Sequence, residues 1–181
     1  ILSSDIFNKK IVNPLKLRDK LKYVRKKYDV ILIDSSPTLD EQTLAVLLAS
    51  DEIFVVTTPD HPTLSTTLKA IKLAKQRGTP ISGMILNKVY NKKFEVNLDY
   101  VEFFTEIPVL AAIPHDINFL KALSKLTPYT FYKPKSKGAK EFLHLARVVS
   151  GEKEKQSTLK KWFNFTPKRP EINREIYYKN V

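Results

Sequence analysis

The sequence has no cysteine, four glycines and a single methionine among its 181 residues. The absence of cysteine excludes disulfide bonds, a thiolate nucleophile and a cysteine-ligated metal site. The glycines stand apart from one another, whereas a loop that wraps a phosphate needs clustered glycines. No phosphate-cradling loop is therefore predicted here. Because the chain opens at Ile1 and its methionine is Met84, we expect it to be part of a longer product.

Long apolar runs are also absent. No run approaches the ~20 residues of a membrane-spanning helix, and the start of the chain shows no signal-peptide pattern. The chain is 43% hydrophobic and 28% charged, which suits one globular domain with an adequate core. We therefore predict a cytoplasmic protein.

The positive charge is unevenly distributed. Residues 1–29 contain nine Lys and Arg and three Asp, a surplus of six positive charges out of the net +12. Residues 151–181 contain eight Lys and Arg and four Glu, a surplus of four. Basic ends favour contact with an anionic surface, either membrane or nucleic acid. The simpler interpretation is a solvated basic surface.

Short apolar runs alternate with helical patterns along the chain. Strands are predicted at residues 1–2, 30–33, 53–56, 81–86 and 109–113. This alternation predicts an α/β fold, with a mostly parallel sheet and helices on both faces.

The helices have recognisable starts. Asn13 and Pro14 begin the first, and its apolar face is predicted to run from Leu17 to Tyr28, opposite solvated lysines. Asp40 caps the second. Pro62 lies in the first turn of the third, whose inner face is predicted to carry Leu64, Leu68, Ile71 and Ala74. A fourth helix is predicted at Glu95–Glu106, with Val96, Tyr100, Val101 and Phe104 inward. A fifth is capped by Asp116 and contains Phe119, Leu120 and Leu123. A sixth is predicted at Ala139–Val149, with Phe142, Leu143, Ala146 and Val149 buried. Residues 127–134 are predicted to be a loop.

The run Val30–Ile33 is predicted to be the central strand, since it is apolar on both faces. It ends at Asp34, followed by two serines and Pro37. A carboxylate at the carboxyl end of a buried parallel strand is where open α/β sheets place ligand chemistry. A simple strand or helix cap explains Asp34 as well.

The sequence YDVILIDSSPTLD at residues 28–40 resembles the Walker B strand and switch II loop of the MinD/ParA family of deviant Walker ATPases, closer to MinD. The likeness continues in order through VVTTPD at residues 55–60, GMILNKV at 83–89 and IPVLAAIPHD at 107–116. It covers roughly residues 1–150, as the carboxyl-terminal part of a nucleotide-binding domain. It implies a P-loop NTPase-like fold that is incomplete at its amino end.

The resemblance assigns a catalytic role to Asp34, which would hold the Mg²⁺ of ATP through water. It places switch II at Ser36, Pro37 and Thr38. Alternatives based on the same fold are a dethiobiotin-synthetase-like enzyme and a capsule-type tyrosine kinase.

On the adenine side, the resemblance points to Asn87, Lys88, Pro114 and Asp116. An amide has both the donor and the acceptor that an adenine edge requires. The simpler interpretations are a turn residue at Asn87, a strand stop at Pro114 and a helix cap at Asp116.

The resemblance also implies that a Walker A loop and switch I lie upstream. The chain alone is therefore expected to be inactive, whereas the complete ATPase would be an ATP-dependent dimerising switch for division-site placement or for chromosome or plasmid partitioning. It would form a homodimer with ATP and respond to an unknown activating partner. The alternative is a non-catalytic α/β interaction module that binds membrane or DNA through its basic ends.

The tail from residue 151 onward is polar and basic. Ser157 is predicted to cap a short amphipathic helix at residues 157–165, and candidate membrane contacts within it are Leu159, Lys160, Lys161, Trp162 and Phe163. Docking of Trp162 on the body, or a disordered tail, are the alternatives. The histidines His61, His115 and His144 lack ligand spacing and are predicted to lie at the surface or in packing.

Overall fold

The computed structural model describes residues 14–35 and 41–152. The predicted strand at residues 1–2 and the predicted caps Asn13 and Asp40 lie outside the described residues. The chain divides into two compact units. Of the described residues, one unit contains 14–35, 41–53 and 70–81, and the other contains 54–69 and 82–152.

The described residues contain seven helices and three strands. The helices are α1 Pro14–Arg25, α2 Glu41–Ala49, α3 His61–Gln76, α4 Leu98–Thr105, α5 Asn118–Ser124, α6 Tyr129–Tyr132 and α7 Lys137–Val149, and the strands are β1 Ile53–Thr57, β2 Ile81–Val89 and β3 Val109–Pro114. None of these helices is long and apolar enough to cross a bilayer.

The strands form one sheet in the order β1-β2-β3. Strands β2 and β3 pair in parallel, with Met84 opposite Val109 and Ile85 opposite Ala111. Helix α3 connects β1 to β2, and α4 connects β2 to β3, as parallel neighbours require. The predicted α/β class with a parallel sheet is confirmed, and so are the three strand positions within a few residues.

The sheet provides the core of the second unit. Met84, Val109, Leu110 and Ala111 are fully buried. Ile85, Ala111 and Ile113 form one cluster with aromatic and aliphatic side chains from neighbouring elements, namely Phe54, Phe119, Phe142 and Leu145. This cluster holds α5 and α7 to the sheet through apolar contact.

The first unit is organised around the contact between α1 and α2. Leu17 of α1 and both Ala45 and Leu47 of α2 are buried, and the hydroxyl of Thr79 donates to the carbonyl of Leu47 at 3.1 Å. The exposed lysines of α1 lie on its outer side, as predicted. Tyr28 was predicted to lie inward, but it is 63% exposed, because α1 ends at Arg25.

The predicted buried strand at Val30–Ile33 is wrong. These residues have no strand pairing, and Leu32 is 78% exposed and Val30 42% exposed. An apolar run becomes a buried strand only where neighbouring strands satisfy its backbone groups. Within the described residues, the sheet contains β1, β2 and β3 alone.

Helix α4 is shorter than predicted, and of the four residues predicted to face inward only Val96 and Val101 are buried. Asn97 caps it by accepting a hydrogen bond from the Asp99 amide at 3.0 Å. Val101 and Thr105, four residues apart, face the protein. Tyr100 and Phe104, predicted to be buried, are 47% and 55% exposed, because the stripe through Val101 and Thr105 leaves them on the helix flank.

Two further predictions failed in the same unit. Residues 127–134 were predicted to be a loop, but they contain α6. In α7, Val148 is buried, whereas Leu143 and Ala146, predicted to be buried, are exposed. The inward side chains of α7 recur three residues apart through Ala139, Phe142, Leu145 and Val148. The helix predicted to contain Phe119, Leu120 and Leu123 is α5, and its buried residue is Ala122.

Candidate functional site

The carboxyl ends of β2 and β3 lie side by side. Leu86 is opposite Ala112 and Val89 is opposite Pro114, and the amide of His115 donates to the carbonyl of Val89 at 2.9 Å. The adjacent strands therefore bring Asn87 and the loop after Pro114 to one edge of the sheet. In open α/β folds this is the edge that binds ligands.

The loop that follows β1 reaches the same edge. The carbonyl of Pro59 accepts a hydrogen bond from the amide of Val96 at 2.9 Å, which ties this loop to the one after β2. Asp60 begins α3 by accepting from the Thr63 amide at 2.9 Å. A hydrogen bond from the Thr58 hydroxyl, followed by that from Thr63, lowers the pKa of Asp60. The carboxylate of Asp60 is thus used to hold the turn.

Asn87 is half-buried near the carboxyl end of β2, where the strand register shifts between Leu86 and Val89. Its Oδ1 accepts a hydrogen bond from the backbone amide of Lys88 at 2.9 Å. Lys88, still within β2, has a φ of 54°, and Asn91, just after the strand, has a φ of 59°, so the backbone is left-handed at both positions. This geometry fixes the side-chain amide of Asn87 at the edge, and Lys88 is exposed.

Glu95 fastens the loop after β2. Its carboxylate accepts from the Tyr90 amide at 2.8 Å and from the Lys92 amide at 3.1 Å. The ring of Tyr90 stacks on His115, with 4.3 Å between centroids and 22° between planes. His115 thus packs at the surface, as predicted. The stack links the two loops at the edge of the sheet.

Asp116 is held by three hydrogen bonds. Its Oδ1 accepts from the Asn118 amide at 2.9 Å and from Asn118 Nδ2 at 2.6 Å, and its Oδ2 accepts from the Tyr129 hydroxyl at 2.6 Å. The Tyr129 hydrogen bond, and then that of the Asn118 amide, lowers the pKa of Asp116. Burial, and then the bond to Asp116, raises the pKa of Tyr129. The carboxylate of Asp116 therefore connects the loop after β3 to Asn118 and to Tyr129.

Sequence reasoning missed Asn118, Phe119 and Tyr129. The spacing of Asp116 and Asn118 is typical of a turn in which an aspartate accepts from the amide two residues on. The contact with Tyr129, thirteen residues away, has no comparable local signal. It depends on α6, which folds back so that Tyr129 stacks on Phe119.

An open cavity of about 410 Å³ lies beside Asp116. Asn118 and the loop Tyr132–Ser136 line it, and Lys133 and Lys135 make its wall positive. Ser136 caps α7 by accepting from the Ala139 amide at 3.1 Å. This arrangement suits a polar or anionic group better than an apolar one.

Asp34 lies in the first unit, in an extended segment without strand pairing, and its side chain is exposed. An exposed carboxylate fits a water-mediated contact with Mg²⁺, because this ion keeps several of its waters. The described residues contain no group of three or more His, Cys, Asp or Glu side chains that could hold a metal ion directly. The switch II residues Ser36, Pro37 and Thr38 and the tail residues Leu159–Phe163 lie outside the described residues.

A family profile described as an AAA domain matches residues 3–81. Among curated proteins, an uncharacterized ATP-binding protein of Methanocaldococcus jannaschii is 30% identical over 155 residues, which are 86% of this chain and 59% of that protein.

Two solved MinD structures are also similar to this chain. The cell division ATPase MinD of Pyrococcus furiosus is 31% identical with a TM-score of 0.67, covering 77% of this chain and 57% of that one. The septum site-determining protein MinD of Pyrococcus horikoshii, complexed with Mg-ADP, is 30% identical with a TM-score of 0.67, covering 82% and 59%. The chain thus spans less than two thirds of the length of these relatives.

Proposed function

Since the chain belongs to the MinD/ParA family of P-loop ATPases, we propose that it contributes the Walker B and adenine-side parts of a nucleotide-dependent switch for division-site placement or for chromosome or plasmid partitioning. The observation that carries this proposal is the alignment of Asn87, near the carboxyl end of β2, with residues 114–116 at one edge of the sheet. Residues 1–150 form the nucleotide-binding part and residues 151–181 a tail. The cofactors are ATP and Mg²⁺.

The adenine side of the proposed site is built on Asn87. Its Oδ1 accepts from the Lys88 amide, but a carbonyl oxygen has a second lone pair, and Nδ2 supplies a donor. The base would therefore meet both hydrogen-bonding groups on a side chain that the bond from the Lys88 amide already orients. Lys88 follows Asn87 in β2, and Pro114 offers a flat apolar contact.

Asp116 supports this site indirectly. Its carboxylate is engaged by Asn118 and Tyr129, so it positions the 113–117 loop and leaves contacts with the base to Pro114 and the backbone. This assigns Asp116 as a positioning residue.

The metal side rests on Asp34. Bound Mg²⁺ would neutralise charge on the phosphates of ATP. The exposed carboxylate of Asp34 would orient a water of the ion by accepting its hydrogen bond.

The adenine site is tested with Asn87→Ala in the natural protein that contains this chain. The Kd for ATP should rise about tenfold, since a buried amide pair contributes roughly 1–2 kcal/mol. Binding of tripolyphosphate, which has no base, should not change. Gln76→Ala, at an exposed position of α3, is the matched control. An equal loss for both ligands, or none for ATP, would contradict the assignment.

The role of Asp34 is tested separately with Asp34→Ala. Mg²⁺-dependent ATP turnover should fall at least tenfold, whereas binding of nucleotide in the presence of EDTA should remain. Asp29→Ala is the control, because Asp29 is an exposed aspartate in the same segment. Unchanged turnover in Asp34→Ala would refute the metal role.

We further propose that the ATP-bound protein is a homodimer and that the tail makes a peripheral contact with the inner face of the membrane. Trp162 is the one tryptophan of the chain, so its fluorescence reports on the tail alone. It should shift to the blue with vesicles containing anionic lipid. An unshifted spectrum would remove the membrane contact.

A second candidate function is a non-catalytic interaction module that binds DNA through its basic residues. Exposed lysines within and just after α1 favour it, namely Lys16, Lys20, Lys22, Lys26 and Lys27. Binding to a DNA duplex should weaken steeply as salt rises, because counterions are released. A flat salt response would exclude this function, and loss of ATP binding in Asn87→Ala would favour the first.

A further inference from the structure

Helix α5 and the turn that ends it expose a row of aliphatic side chains. The exposed fractions are 54% at Ile117, 60% at Leu120, 69% at Leu123 and 92% at Leu126. Residues three apart on a helix are neighbours, so the first three of these side chains lie next to one another. The buried residue of α5 is Ala122. The four aliphatic side chains therefore form an apolar patch in solvent, of the kind that marks an interaction site.

Leu126 has a backbone conformation that leucine rarely adopts. Its φ is 48°, in the left-handed region where a helix commonly ends in glycine. The amide of Leu126 donates to the carbonyl of Leu123 at 2.9 Å, and the amide of Thr127 donates to the carbonyl of Ala122 at 3.0 Å. These are the two hydrogen bonds of a Schellman turn, and glycine would form them with less strain. The leucine side chain thus adds apolar surface without serving the turn.

The same part of the chain is cationic. Residues 117–140 contain six lysines and no arginine, aspartate or glutamate, and all six lysines are exposed. The carboxylates on either side of this stretch are engaged by backbone and side-chain donors. Asp116 accepts three hydrogen bonds, and Glu141 accepts from the Ala112 amide at 3.1 Å. The whole stretch belongs to one compact unit, so aliphatic side chains and positive charge occur together on the same part of the molecule.

This combination favours a lipid surface over other partners. Contacts with DNA are made mainly by charged and hydrogen-bonding groups, and exposed leucine side chains offer neither. The centres of protein interfaces are depleted in lysine. A bilayer with anionic headgroups accommodates both kinds of side chain, because aliphatic groups enter the acyl boundary while lysines remain among the headgroups.

We propose that the α5 surface, formed by Ile117, Leu120, Leu123 and Leu126 with Lys121 and Lys125, lies on a bilayer that contains anionic lipid. This contact belongs to the folded part of the chain. It is additional to the tail contact proposed above and depends neither on that contact nor on the nucleotide site. Because only four aliphatic side chains enter the lipid, the contact is weak and reversible, and it weakens as salt screens the lysines.

A probe on the surface tests the proposal directly. The chain has no cysteine, so Leu123→Cys gives the full chain a single thiol for the fluorophore nitrobenzoxadiazole. Its emission should rise and shift to the blue with vesicles of phosphatidylcholine and phosphatidylglycerol, and not with phosphatidylcholine alone. The matched control is Phe103→Cys, which carries the same label at an 82% exposed position of α4 and should not respond. No response at position 123, or equal responses at both positions, would overturn the proposal.

Leu126→Gly tests the aliphatic part of the contact. Glycine suits the left-handed φ, so thermal unfolding should show an unchanged or higher Tm. The partition coefficient onto the anionic vesicles, measured by cosedimentation, should nevertheless fall roughly fivefold, because one leucine side chain no longer enters the lipid. Phe103→Ser should change it less than about twofold. Equal effects of these two variants would contradict the assignment.

The lysines are tested with Lys121→Gln/Lys125→Gln. Partition at low salt should fall at least about tenfold, since each lysine near an anionic surface contributes to binding. The control Lys69→Gln/Lys72→Gln removes two exposed lysines of α3 and should have a small effect. If the α5 variant instead loses binding to a DNA duplex while the unsubstituted chain does not bind vesicles, the surface contacts nucleic acid and the lipid proposal is wrong.

The tail is separated from the α5 surface by Trp162→Ser/Phe163→Ser. In this background the probe at position 123 should still respond at saturating lipid. Loss of the response would show that the tail alone holds the protein on the vesicle, and the proposal would fail. A responsive probe together with an unshifted Trp162 spectrum in the chain with its natural tail would support the α5 contact and reject the tail contact.

Discussion

The ring of Tyr129 lies flat against the ring of Phe119, with 3.7 Å between centroids and 12° between planes. Its hydroxyl donates to Asp116 at 2.6 Å. This pair therefore joins α6 to α5 and to the loop that follows β3. That loop at the candidate nucleotide site is therefore held by the Phe119–Tyr129 pair as well as by the bond from the His115 amide to Val89.

Tyr129→Phe tests this link. The substitution keeps the ring stack and removes one hydrogen bond to a carboxylate, so the free energy of unfolding should fall by about 1–2 kcal/mol. Urea denaturation at pH 7 measures it. The pKa of Asp116 should also rise towards its ordinary value, as NMR titration would show. Tyr132→Phe is the control, because the ring of Tyr132 contacts Lys125 and not Asp116, and an equal effect there would argue against the link.

Gly83→Ala should destabilise the sheet. A Cβ at this position would lie 2.3 Å from Cδ1 and 2.4 Å from Cγ of Leu110, and Leu110 is fully buried. Overpacking of this kind costs about 1–3 kcal/mol, measured as a loss of unfolding free energy in urea.

A double-mutant cycle provides the control for this steric explanation. Leu110→Ala alone leaves a cavity and should destabilise the protein. Gly83→Ala added to Leu110→Ala should cost much less than Gly83→Ala alone, because the clashing atoms are gone. Additive losses would show that the clash is not the cause.

The protein should lose stability in acid. Hydrogen bonds lower the pKa of both Asp60 and Asp116 from the ordinary 3.8. A carboxyl whose pKa is lower in the folded state adds stability above its unfolded pKa, and this stability is lost as pH falls through the folded pKa. The free energy of unfolding should therefore decrease from about pH 5 to about pH 2. Asp60→Asn and Asp116→Asn should each reduce this slope, whereas Gln76→Ala should not.

Ser136→Ala should weaken the start of α7. The serine Oγ accepts from the Ala139 amide at 3.1 Å, and loss of such a cap costs about 1 kcal/mol. Thermal unfolding should show a lower Tm for Ser136→Ala and near recovery for Ser136→Asp, since aspartate also caps helices. If both variants unfold alike, the cap does not stabilise α7.

The α/β class, the three strands and the inner face of α3 could be predicted from local pattern. Apolar runs at residues 53–56, 81–86 and 109–113 have paired neighbours in the sheet, and Leu64, Ile71 and Ala74 recur at helical spacing on the buried side. The edge that gathers Asn87 and Pro114 also followed from the parallel order. The role of Asp34 remains a prediction, and so do the tail contacts.

Strand pairing and the choice of buried helix face depended on residues far apart in the sequence. Val30–Ile33 has the composition of a buried strand, but composition does not provide the neighbouring strand that pairs with it. Tyr100 and Phe104 have the hydrophobicity of core residues, but the small contact face through Val101 and Thr105 set the rotation of α4 and left them exposed. The sequence by itself determined β1, β2 and β3, most of the helices and the inner face of α3, because periodicity and caps act locally. Tertiary packing decided that Val30–Ile33 has no strand pairing, which faces of α4 and α7 became core and which side chains meet at the site, because these depend on long-range contacts.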